Sequence, residues 1–554
     1  MEPRVIAANT VWFLYCAKRT RAWKIAIRDV EKTQAALLLR ILSKNAGTAF
    51  GREHAFETIG SVEAFQGAVP TQSHEDLLPY IERIANGAPN ALTVEPVHRF
   101  GISSGSTRAS KLIPYTPSLM TDFQAGIDPW IFHLFKEHPG ILRGKAYWSI
   151  TPVGDRPRYS PGGIPSGFDD ERAYFGRLAR WALGVVMVTP PELALVQDME
   201  AFRYATLRLL LQEGSLSWIS IWNPAFAVLL LDPLERWFDR LVDDIRTGTM
   251  SVDLGVSPQI DRTIRKMVRK SQRRAAELIR LRNEKGSTLY EAIWPDLKLI
   301  SCWAHGNAAA AVKQLRICFP HVVIQPKGLV ATEAFVSFPI RGELSALSIT
   351  SHFFEFEDID TGTIRLAHQL ETGRQYSVLV TTSGGFYRYE LNDLVRVLGF
   401  EEECPLICFI GRKDKVVDVL GEKLNEQFVA ETTQRMIPKL MQPRFWMVAP
   451  SRSGPDVAYT LFLQLIDDTA DEDSLRRISA EIDQSFRANY HYDYCRRLGQ
   501  LAQFRLFLID PDQRPSEVYL KKCASLGQRL GDIKLVALHP YQHWSSEFRG
   551  RFIH

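Results

Sequence analysis

The sequence predicts an α/β protein that has a large N-terminal domain of mixed sheets and helices and a smaller C-terminal α+β domain. Three observations support this prediction. Between residues 95 and 410, apolar runs typical of buried strands alternate with helical patterns, as in an α/β core. A charged turn at Gly411 ends this pattern, and shorter strands and helices follow it. The chain of 554 residues also exceeds the size of one hydrophobic core.

Local patterns predict the individual elements. Residues 1–90 are expected to be mainly helical, because apolar residues recur at helical spacing, as in 34–46. In the large domain, short apolar runs predict strands at 186–188, 298–301, 322–324 and 376–380. In the small domain, the same patterns predict strands at 445–448, 459–466 and 504–508 and a helix at 474–489.

Composition excludes several classes of protein. The 67 basic and 63 acidic residues give a net charge of only +4, which does not suggest a nucleic-acid partner. The apolar stretch at 10–17 is too short for membrane insertion, because a spanning helix needs about 20 residues. The seven scattered cysteines favour a reducing, cytoplasmic location. No pattern predicts the oligomeric state.

The most informative segment is Phe100–Lys111, which combines five hydroxyl side chains, two glycines and one lysine. Hydroxyl groups, backbone N–H groups and an ammonium group bind phosphate oxygens, and glycine lets the backbone approach an anion closely. The segment is therefore a candidate triphosphate loop. Its candidate phosphate-binding residues are Ser103, Ser104, Gly105, Ser106, Thr107 and Lys111.

The same segment also fits the nucleophile elbow of serine hydrolases, with Ser103 as the nucleophile. An elbow must be followed by a helix, whereas Pro114 and Pro117 disfavour a helix interior. Residues 111–113 are typical of a short strand, so a strand–loop–strand hairpin is favoured. A polar surface turn without a ligand remains a further alternative.

A second polar segment is Gly328–Glu333, which follows a buried-strand pattern. Ligands bind beyond the carboxyl ends of parallel strands. There, Thr332 would donate to phosphate and Glu333 would hold Mg²⁺, a cation that prefers oxygen ligands. The alternative is a helix cap followed by a solvated acid.

A third polar segment is Gly384–Asp393. Asn392 suits a turn with positive φ, and a carboxylate fixed there, that of Asp393, would accept both ribose hydroxyls. The alternative is an edge strand with an ordinary turn aspartate.

Two weaker signals follow. Arg412 would contact ribose or phosphate at a hinge, and the alternative, which this segment alone favours, is a solvated charged turn. Lys534 lies in a Gly-Asp-Ile-Lys-Leu segment, and a single lysine is normally a surface residue.

These five segments, in this order, resemble the adenylate-forming superfamily of acyl-CoA synthetases, adenylation domains and luciferases. The sequence is most similar to the Gretchen Hagen three family of acyl acid amido synthetases in its bacterial form. Further matching segments lie outside the five. They are 79–87, 221–224 and 301–306, and the resemblance runs from about residue 10 to residue 540.

The resemblance implies a ligase with an N-terminal adenylate-forming domain at 1–411, which binds ATP and an acyl acid, and a mobile C-terminal lid at 412–554. The enzyme would convert a carboxylic acid into an acyl-adenylate, releasing pyrophosphate, and then transfer the acyl group to an amine, commonly an amino acid. ATP is then a substrate and Mg²⁺ a cofactor.

The resemblance also assigns roles to residues. Ser103–Thr107 and Lys111 would hold the phosphates, and Thr332 and Glu333 would hold the α-phosphate and Mg²⁺. Asp393 would bind ribose beside Arg412, and Lys534 would neutralise the α-phosphate. Lys534, Lys111 and Glu333 are thus the implied catalytic residues. The chain departs from the family pattern at Arg108, Ser110, Leu329 and Asn392.

Four alternatives remain open at this point. In the first, the final acceptor is CoA or another nucleophile instead of an amine. In the second, the chain is a serine hydrolase, and in the third, it is a non-catalytic nucleotide-binding homologue. The fourth concerns Trp218–Trp222 and Trp303, which would line a pocket for an apolar or aromatic acid or simply belong to the core. Nothing in the sequence identifies the acid or the amine.

Overall fold

The computed structural model describes twelve stretches of the chain. They are residues 2–103, 111–149, 158–167, 177–285, 289–304, 308–413, 415–440, 443–453, 456–466, 471–526, 528 and 533–553. Every structural statement below concerns these residues.

The chain forms two compact units. The first comprises residues 1–304 and 315–409, and the second comprises residues 305–314 and 410–554. The first unit combines helices with parallel and antiparallel sheets, and the second is a smaller α+β unit, which confirms the predicted α/β fold class. The roles assigned to the two domains stay a prediction.

Most helices precede residue 410. In chain order they are α1 (Pro3–Ala26), α2 (Val30–Asn45), α3 (Ala49–Glu53), α4 (Val62–Ala68), α5 (His74–Ala85), α6 (Pro117–Glu137), α7 (Arg177–Val186), α8 (Met199–Gln212), α9 (Pro224–Leu231), α10 (Leu234–Thr247), α11 (Pro258–Arg265), α12 (Gln272–Lys285), α13 (Leu289–Ile293) and α14 (Ala309–Cys318). The helices after residue 410 are α15 (Glu426–Leu440), α16 (Glu472–Phe486), α17 (Tyr490–Arg497), α18 (Pro515–Ser525) and α19 (Trp544–Glu547).

The strands follow the same division. Those up to residue 412 are β1 (Arg99–Ser103), β2 (Lys111–Tyr115), β3 (Lys145–Trp148), β4 (Arg158–Tyr159), β5 (Pro165–Ser166), β6 (Leu216–Ser220), β7 (Leu299–Cys302), β8 (Val323–Pro326), β9 (Ser337–Arg341), β10 (Leu344–Leu347), β11 (Phe353–Asp358), β12 (Ile364–Leu366), β13 (Gln375–Thr381), β14 (Tyr389–Glu401) and β15 (Cys404–Arg412). The remaining strands are β16 (Val416–Val417), β17 (Leu424–Asn425), β18 (Pro443–Ser453), β19 (Asp456–Leu465), β20 (Arg505–Ile509) and β21 (Gly550–Ile553).

The N-terminal region is helical because each helix buries one stripe of side chains. In α1, the buried stripe includes Val5, Ala8, Trp12 and Cys16, which recur every three or four residues. Proline at the first position suits a helix start, since its missing N–H would have no helical partner there. Helices α1–α5 confirm the prediction for residues 1–90.

The large unit contains three sheets. A parallel sheet has the order β3-β6-β7-β8, and a seven-stranded sheet has the order β12-β11-β13-β14-β15-β10-β9. A third sheet has the order β2-β1-β5-β4. All residues of β6 and β7 are buried, as the near-continuous apolar runs of parallel strands predict.

In the second unit, β18-β19-β20-β21 form one sheet, in which β19 and β20 are parallel. The helix α16 packs on this sheet through a stripe of buried residues, namely Leu475, Ile478, Ile482 and Phe486. The second unit thus has a hydrophobic core of its own.

The predicted strands at 298–301, 322–324, 376–380, 445–448, 459–466 and 504–508 are confirmed as β7, β8, β13, β18, β19 and β20, and the predicted helix at 474–489 is confirmed as α16. The strand predicted at 186–188 is wrong. Val186 ends α7, because Ala182, Leu183 and Val186 form one buried helical stripe, and Met187 makes only an isolated bridge to Ala146.

One ion pair is buried in the seven-stranded sheet. The Arg388 guanidinium donates to both Glu355 oxygens at 3.2 and 3.0 Å and to the carbonyls of Gln66 and Val69. The two side chains are 7% and 1% exposed. This network holds the chain in place where it enters β14.

No helix among the described residues is long and apolar enough to cross a membrane.

Removing one partner of the buried ion pair should destabilise the large unit strongly. We expect Glu355→Ala to lower the free energy of unfolding by about 3–5 kcal/mol, because it leaves the guanidinium buried without its carboxylate. Urea unfolding measures this change. The matched control, Glu284→Ala, removes the exposed partner of Arg280 and should leave the unfolding midpoint unchanged. Equal midpoints for the two variants would contradict the structural role of the pair.

Candidate functional site

The hydroxyl-rich segment is held by a β-hairpin. Strands β1 and β2 pair antiparallel, with Ser103 opposite Lys111. This confirms the predicted strand–loop–strand arrangement. Ser104, Gly105, Ser106 and Thr107 lie outside the described residues, and Lys111 is half-buried at the base of the hairpin.

The described strands argue against the alternative of a nucleophile elbow at Ser103. An elbow continues directly into a helix, whereas the next described element is β2, which pairs with β1, and α6 begins only at Pro117. Pro114 lies in the strand, and Pro117 is the first residue of the helix.

Thr332 and Glu333 form the tip of a tight turn. The Ala331 N–H donates to the Ala334 carbonyl at 2.9 Å, and Val330 pairs with Phe335. Strand β9 follows, so the alternative of a helix cap is wrong. Glu333 is buried, and Thr332 is half-buried.

Two side chains anchor this turn. The Tyr115 hydroxyl donates to the Thr332 carbonyl at 2.5 Å, and the Phe335 N–H donates to His352 Nε2 at 3.0 Å. Because Nε2 accepts, the ring proton of His352 is on Nδ1. Burial lowers the pKa of His352 to about 3, so the ring stays neutral and keeps this hydrogen bond.

Strand β1 lies directly against the turn. A Cβ added to Gly101 would lie 2.8 Å from the Thr332 methyl carbon and 2.6 Å from the Tyr115 ring. Only glycine fits at such a distance. The structure therefore brings strand β1, at the start of the hydroxyl-rich segment, against the Thr332–Glu333 turn.

The third predicted segment reaches the same place. The Thr116 hydroxyl donates to the Ser383 carbonyl at 3.1 Å, and a Cβ on Gly384 would lie 3.0 Å from the Pro114 carbonyl oxygen. Three polar segments that are far apart in sequence thus contact consecutive residues of β2 and the start of α6.

Asp393 lies on a bulge of β14. Leu379 pairs with Glu390 and Ser377 with Leu394, so three residues of β14 face one residue of β13. Asn392 has φ +61°, which confirms the predicted positive φ, but the predicted turn is wrong, since the strand continues beyond it. The Asp393 side chain is buried.

Arg412 and Lys534 belong to the second unit. Arg412 ends β15 and is half-buried, and its carbonyl accepts from Asn425 Nδ2 at 3.3 Å. Lys534 has an exposed side chain, and its carbonyl accepts from the Tyr519 hydroxyl at 2.9 Å. The backbone of Lys534 is therefore anchored, and the residue is exposed.

Sequence reasoning missed Lys327, which follows β8 directly. Its Nζ lies 4.4 Å from the ring centroid of Trp130, 4.8 Å from that of Trp222 and 5.5 Å from that of Trp148. The ammonium also donates to Ser220 Oγ at 2.7 Å, and the residue is 3% exposed. The signal in the sequence that could have identified this residue is a lysine directly after a buried-strand pattern.

This cluster lies at the carboxyl end of the parallel sheet, where α/β proteins bind ligands. Ser220 and Cys302 end β6 and β7 beside it. Burial raises the pKa of the Cys302 thiol to about 12, although Lys327 opposes this shift. Of the tryptophans considered for an acid pocket, Trp218 is a core residue and Trp222 is half-buried against Lys327.

Among the described residues, no group of three or more His, Cys, Asp and Glu side chains is arranged to hold a metal ion. A Mg²⁺ ion needs less than such a group, because it is commonly bound through one or two carboxylates together with substrate phosphates. The hard carboxylate oxygens of Glu333, beside the hydroxyl of Thr332, fit that mode of binding.

Comparisons with known proteins agree with this architecture. The chain is 24% identical over 542 residues to a probable indole-3-acetic acid-amido synthetase, GH3.12, of Oryza sativa subsp. japonica, covering 87% of each chain. It is 23% identical over 493 residues to the jasmonoyl–L-amino acid synthetase JAR4 of Nicotiana attenuata, covering 84% of each chain.

A solved structure shares the fold. The AtGH3.15 acyl acid amido synthetase in complex with 2,4-DB superposes with a TM-score of 0.83 at 19% identity, over 96% of this chain and 95% of the other.

Two family models match the sequence. The GH3 family N-terminal domain matches residues 21–324, which is more than half of the chain, and the GH3 family central domain matches residues 345–412. GH3 is the Gretchen Hagen three family to which the polar segments pointed. The chain belongs to the GH3 family.

Proposed function

We propose that this protein is an ATP-dependent acyl acid amido synthetase, which joins a carboxylic acid to an amine, in particular an amino acid. The observation that carries the proposal is the meeting of the β1–β2 hairpin, the Thr332–Glu333 turn and the Ser383–Gly384 turn in a GH3 chain. The names of the relatives, which are acid–amido synthetases, support the same reaction class.

In the first step, a carboxylate oxygen of the acid attacks the α-phosphorus of ATP. The bond between the α-phosphorus and its bridging oxygen breaks, pyrophosphate leaves, and an acyl-adenylate remains. Two anions must meet, so Lys111 and the groups of Ser103–Thr107 would offset their repulsion and hold the phosphates in line.

In the second step, the nitrogen of the amine attacks the activated carbonyl carbon. The bond from that carbon to the AMP oxygen breaks, AMP leaves, and the nitrogen gives up a proton to solvent. The alternative acceptor is CoA in place of the amine, and analysis of the products distinguishes the two.

The Thr332–Glu333 turn would serve the first step. Thr332 would donate its hydroxyl to the α-phosphate, and the Glu333 carboxylate would hold Mg²⁺, which when bound neutralises charge on the phosphate oxygens. The Tyr115 and His352 anchors support this role, because they fix the turn before substrate arrives.

Asp393 would accept the ribose hydroxyls, and Arg412 would contact the nucleotide beside it. Lys534 would neutralise the α-phosphate during adenylation. We assign the ATP and acid sites to residues 1–411 and a mobile lid to residues 412–554. The anchored backbone of Lys534 and the exposure of the residue support its role.

We further propose a cytoplasmic location and membership of the bacterial form of the family. All seven cysteines are free, which supports a reducing compartment.

The proposed activity predicts acid-dependent exchange of labelled pyrophosphate into ATP. A panel of aromatic and aliphatic acids with Mg²⁺ should include acids that drive exchange, and adding amino acids should yield an amide together with AMP. Thioester formation with CoA in place of the amide would identify a CoA ligase. Absence of exchange with every acid, in protein shown to be folded, would contradict adenylation and favour a non-catalytic homologue.

Asp393→Ala should raise the KM for ATP about tenfold or more, because hydrogen bonds to a charged group contribute about 1.5–3 kcal/mol each. The KM for the acid should change little. The matched control is Asp360→Ala, which changes an exposed aspartate in a turn of the same sheet and should have no effect. Equal losses for ATP and acid would argue against a ribose role.

Lys534→Ala should slow adenylation roughly a hundredfold, as loss of one preorganised charge typically does. Transfer from a preformed acyl-adenylate to the amine should keep its rate. Rapid-quench measurement of each step separates the two, and Lys521→Ala, at an exposed lysine of α18, is the control. A loss confined to amine transfer would overturn the assignment.

A further inference from the structure

Asp122 and His352 form a buried polar pair near the Thr332–Glu333 turn. Oδ2 of Asp122 lies 4.0 Å from Nδ1 of His352, and the two side chains are 7% and 0% exposed. Neither of these two atoms has a hydrogen-bond partner among the described residues. Such buried atoms are rare in folded proteins because each carries a free-energy cost, so the pair calls for a functional explanation.

The His352 ring connects this pair to the Thr332–Glu333 turn. Its Nε2 accepts from the Phe335 N–H at 3.0 Å, which leaves the ring proton on Nδ1. The group of His352 nearest to the carboxylate is therefore a donor. The separation of 4.0 Å is about 1 Å longer than an N–H···O hydrogen bond. A small movement would thus complete a chain of hydrogen bonds from Asp122 to the backbone that follows the turn.

Asp122 also contacts the Ser383–Gly384 turn. The side chain and the backbone of Ser383 both form hydrogen bonds with the Asp122 carboxylate. Asp122 itself lies in the second turn of α6. One carboxylate on a stiff helix therefore holds one turn directly and lies within reach of the other turn through His352.

Asp122 is the member of the pair that changes charge near neutral pH. Burial raises the pKa of Asp122 to about 7. Hydrogen bonds from Ser383 and the charges of Arg40 and Lys44, both on α2, oppose this shift. Burial lowers the pKa of His352 to about 3, so the ring stays neutral while the carboxylate ionises.

We propose that Asp122 positions the Thr332–Glu333 turn for the nucleotide, by accepting a hydrogen bond from His352 Nδ1 when ATP binds. The inference rests on the proposed function, which places the phosphates of ATP at this turn. In the closed arrangement, the ionised carboxylate joins this turn to the Ser383–Gly384 turn. Asp122 acts through His352 and is therefore a positioning residue.

The proposal links ATP binding to the release of a proton. An ionised carboxylate is the stronger acceptor for an N–H group, so the pKa of Asp122 should fall when the hydrogen bond closes. ATP should therefore bind more tightly as the pH rises through 7. At pH 7, wild type should release about half a proton per ATP more than a variant that cannot ionise at this position.

Calorimetry of ATP binding with Mg²⁺ at pH 7, in two buffers of different ionisation enthalpy, measures this release. Asp122→Asn keeps the size of the side chain but cannot ionise. It should release about half a proton less than wild type and raise the Kd for ATP about tenfold, as loss of a hydrogen bond to a charged group typically does.

A second variant, His352→Gln, removes the donor instead of the acceptor. Its amide oxygen would replace Nε2 as the acceptor for the Phe335 N–H, while the Nδ1 donor is lost. This variant should show the same loss of proton release and the same rise in Kd. The double variant should lose no more than either single variant, because both changes remove one hydrogen bond.

The matched control is Asp128→Asn, at another buried aspartate of α6. Burial raises the pKa of Asp128 to about 7 as well. Its partners, however, lie on α1, where Arg19 Nε is 3.0 Å from Oδ2 and the Cys16 thiol lies 3.8 Å from Oδ1. The control should keep the proton release and the Kd of wild type. Thermal unfolding checks that each variant is folded, and His352→Gln carries the test if Asp122→Asn does not fold.

Equal proton release by wild type and Asp122→Asn would overturn the inference, as would single losses that add in the double variant. ATP binding without acyl-adenylate formation from any acid would refute the proposed function alone, because calorimetry still reports the dependence on Asp122. Absence of ATP binding by folded wild type would overturn both.

Discussion

The site depends on one continuous segment, in which β2 leads directly into α6. Within it, Tyr115 holds the Thr332–Glu333 turn, and Thr116 caps the helix while donating to the Ser383 carbonyl. Strand β2 also carries one side of the hairpin that presents the hydroxyl-rich loop. Because a helix and a paired strand are stiff, three segments far apart in sequence are held in one place before any ligand binds. Preorganisation of this kind lowers the barrier to a reaction between two anions.

Buried polar groups define this geometry at a cost in stability. Arg388 and Glu355 are removed from water to fix the entry to β14, and His352 is kept neutral in the core to hold the Phe335 N–H. An apolar core would avoid the free-energy cost of removing these charges from water. Each of these groups instead satisfies a specific partner, so the turns they hold have one arrangement rather than several. Lys327, at the end of the parallel sheet, is likewise buried and donates to a specific partner, Ser220.

Sequence reasoning succeeded where structure is local. The helices of the N-terminal region, the hairpin and most strands follow from periodicity and proline positions, which act within a few residues. It failed at 186–188, where a helical stripe outweighed a short apolar run, and at Asn392, where a bulge depends on the neighbouring strand. It also missed Lys327 and His352. Their partners lie elsewhere in the chain, as Ser220 does at 107 residues from Lys327, and only the folded structure brings them together.

We propose that the hairpin, the Thr332–Glu333 turn and Asp393 on the β14 bulge surround a single nucleotide. A crystal structure with a non-hydrolysable acyl-adenylate analogue tests it most directly. The account predicts phosphate oxygens about 3 Å from the Thr332 hydroxyl, with the ribose hydroxyls on Asp393. An analogue bound away from this turn, in an otherwise unchanged fold, would contradict the account.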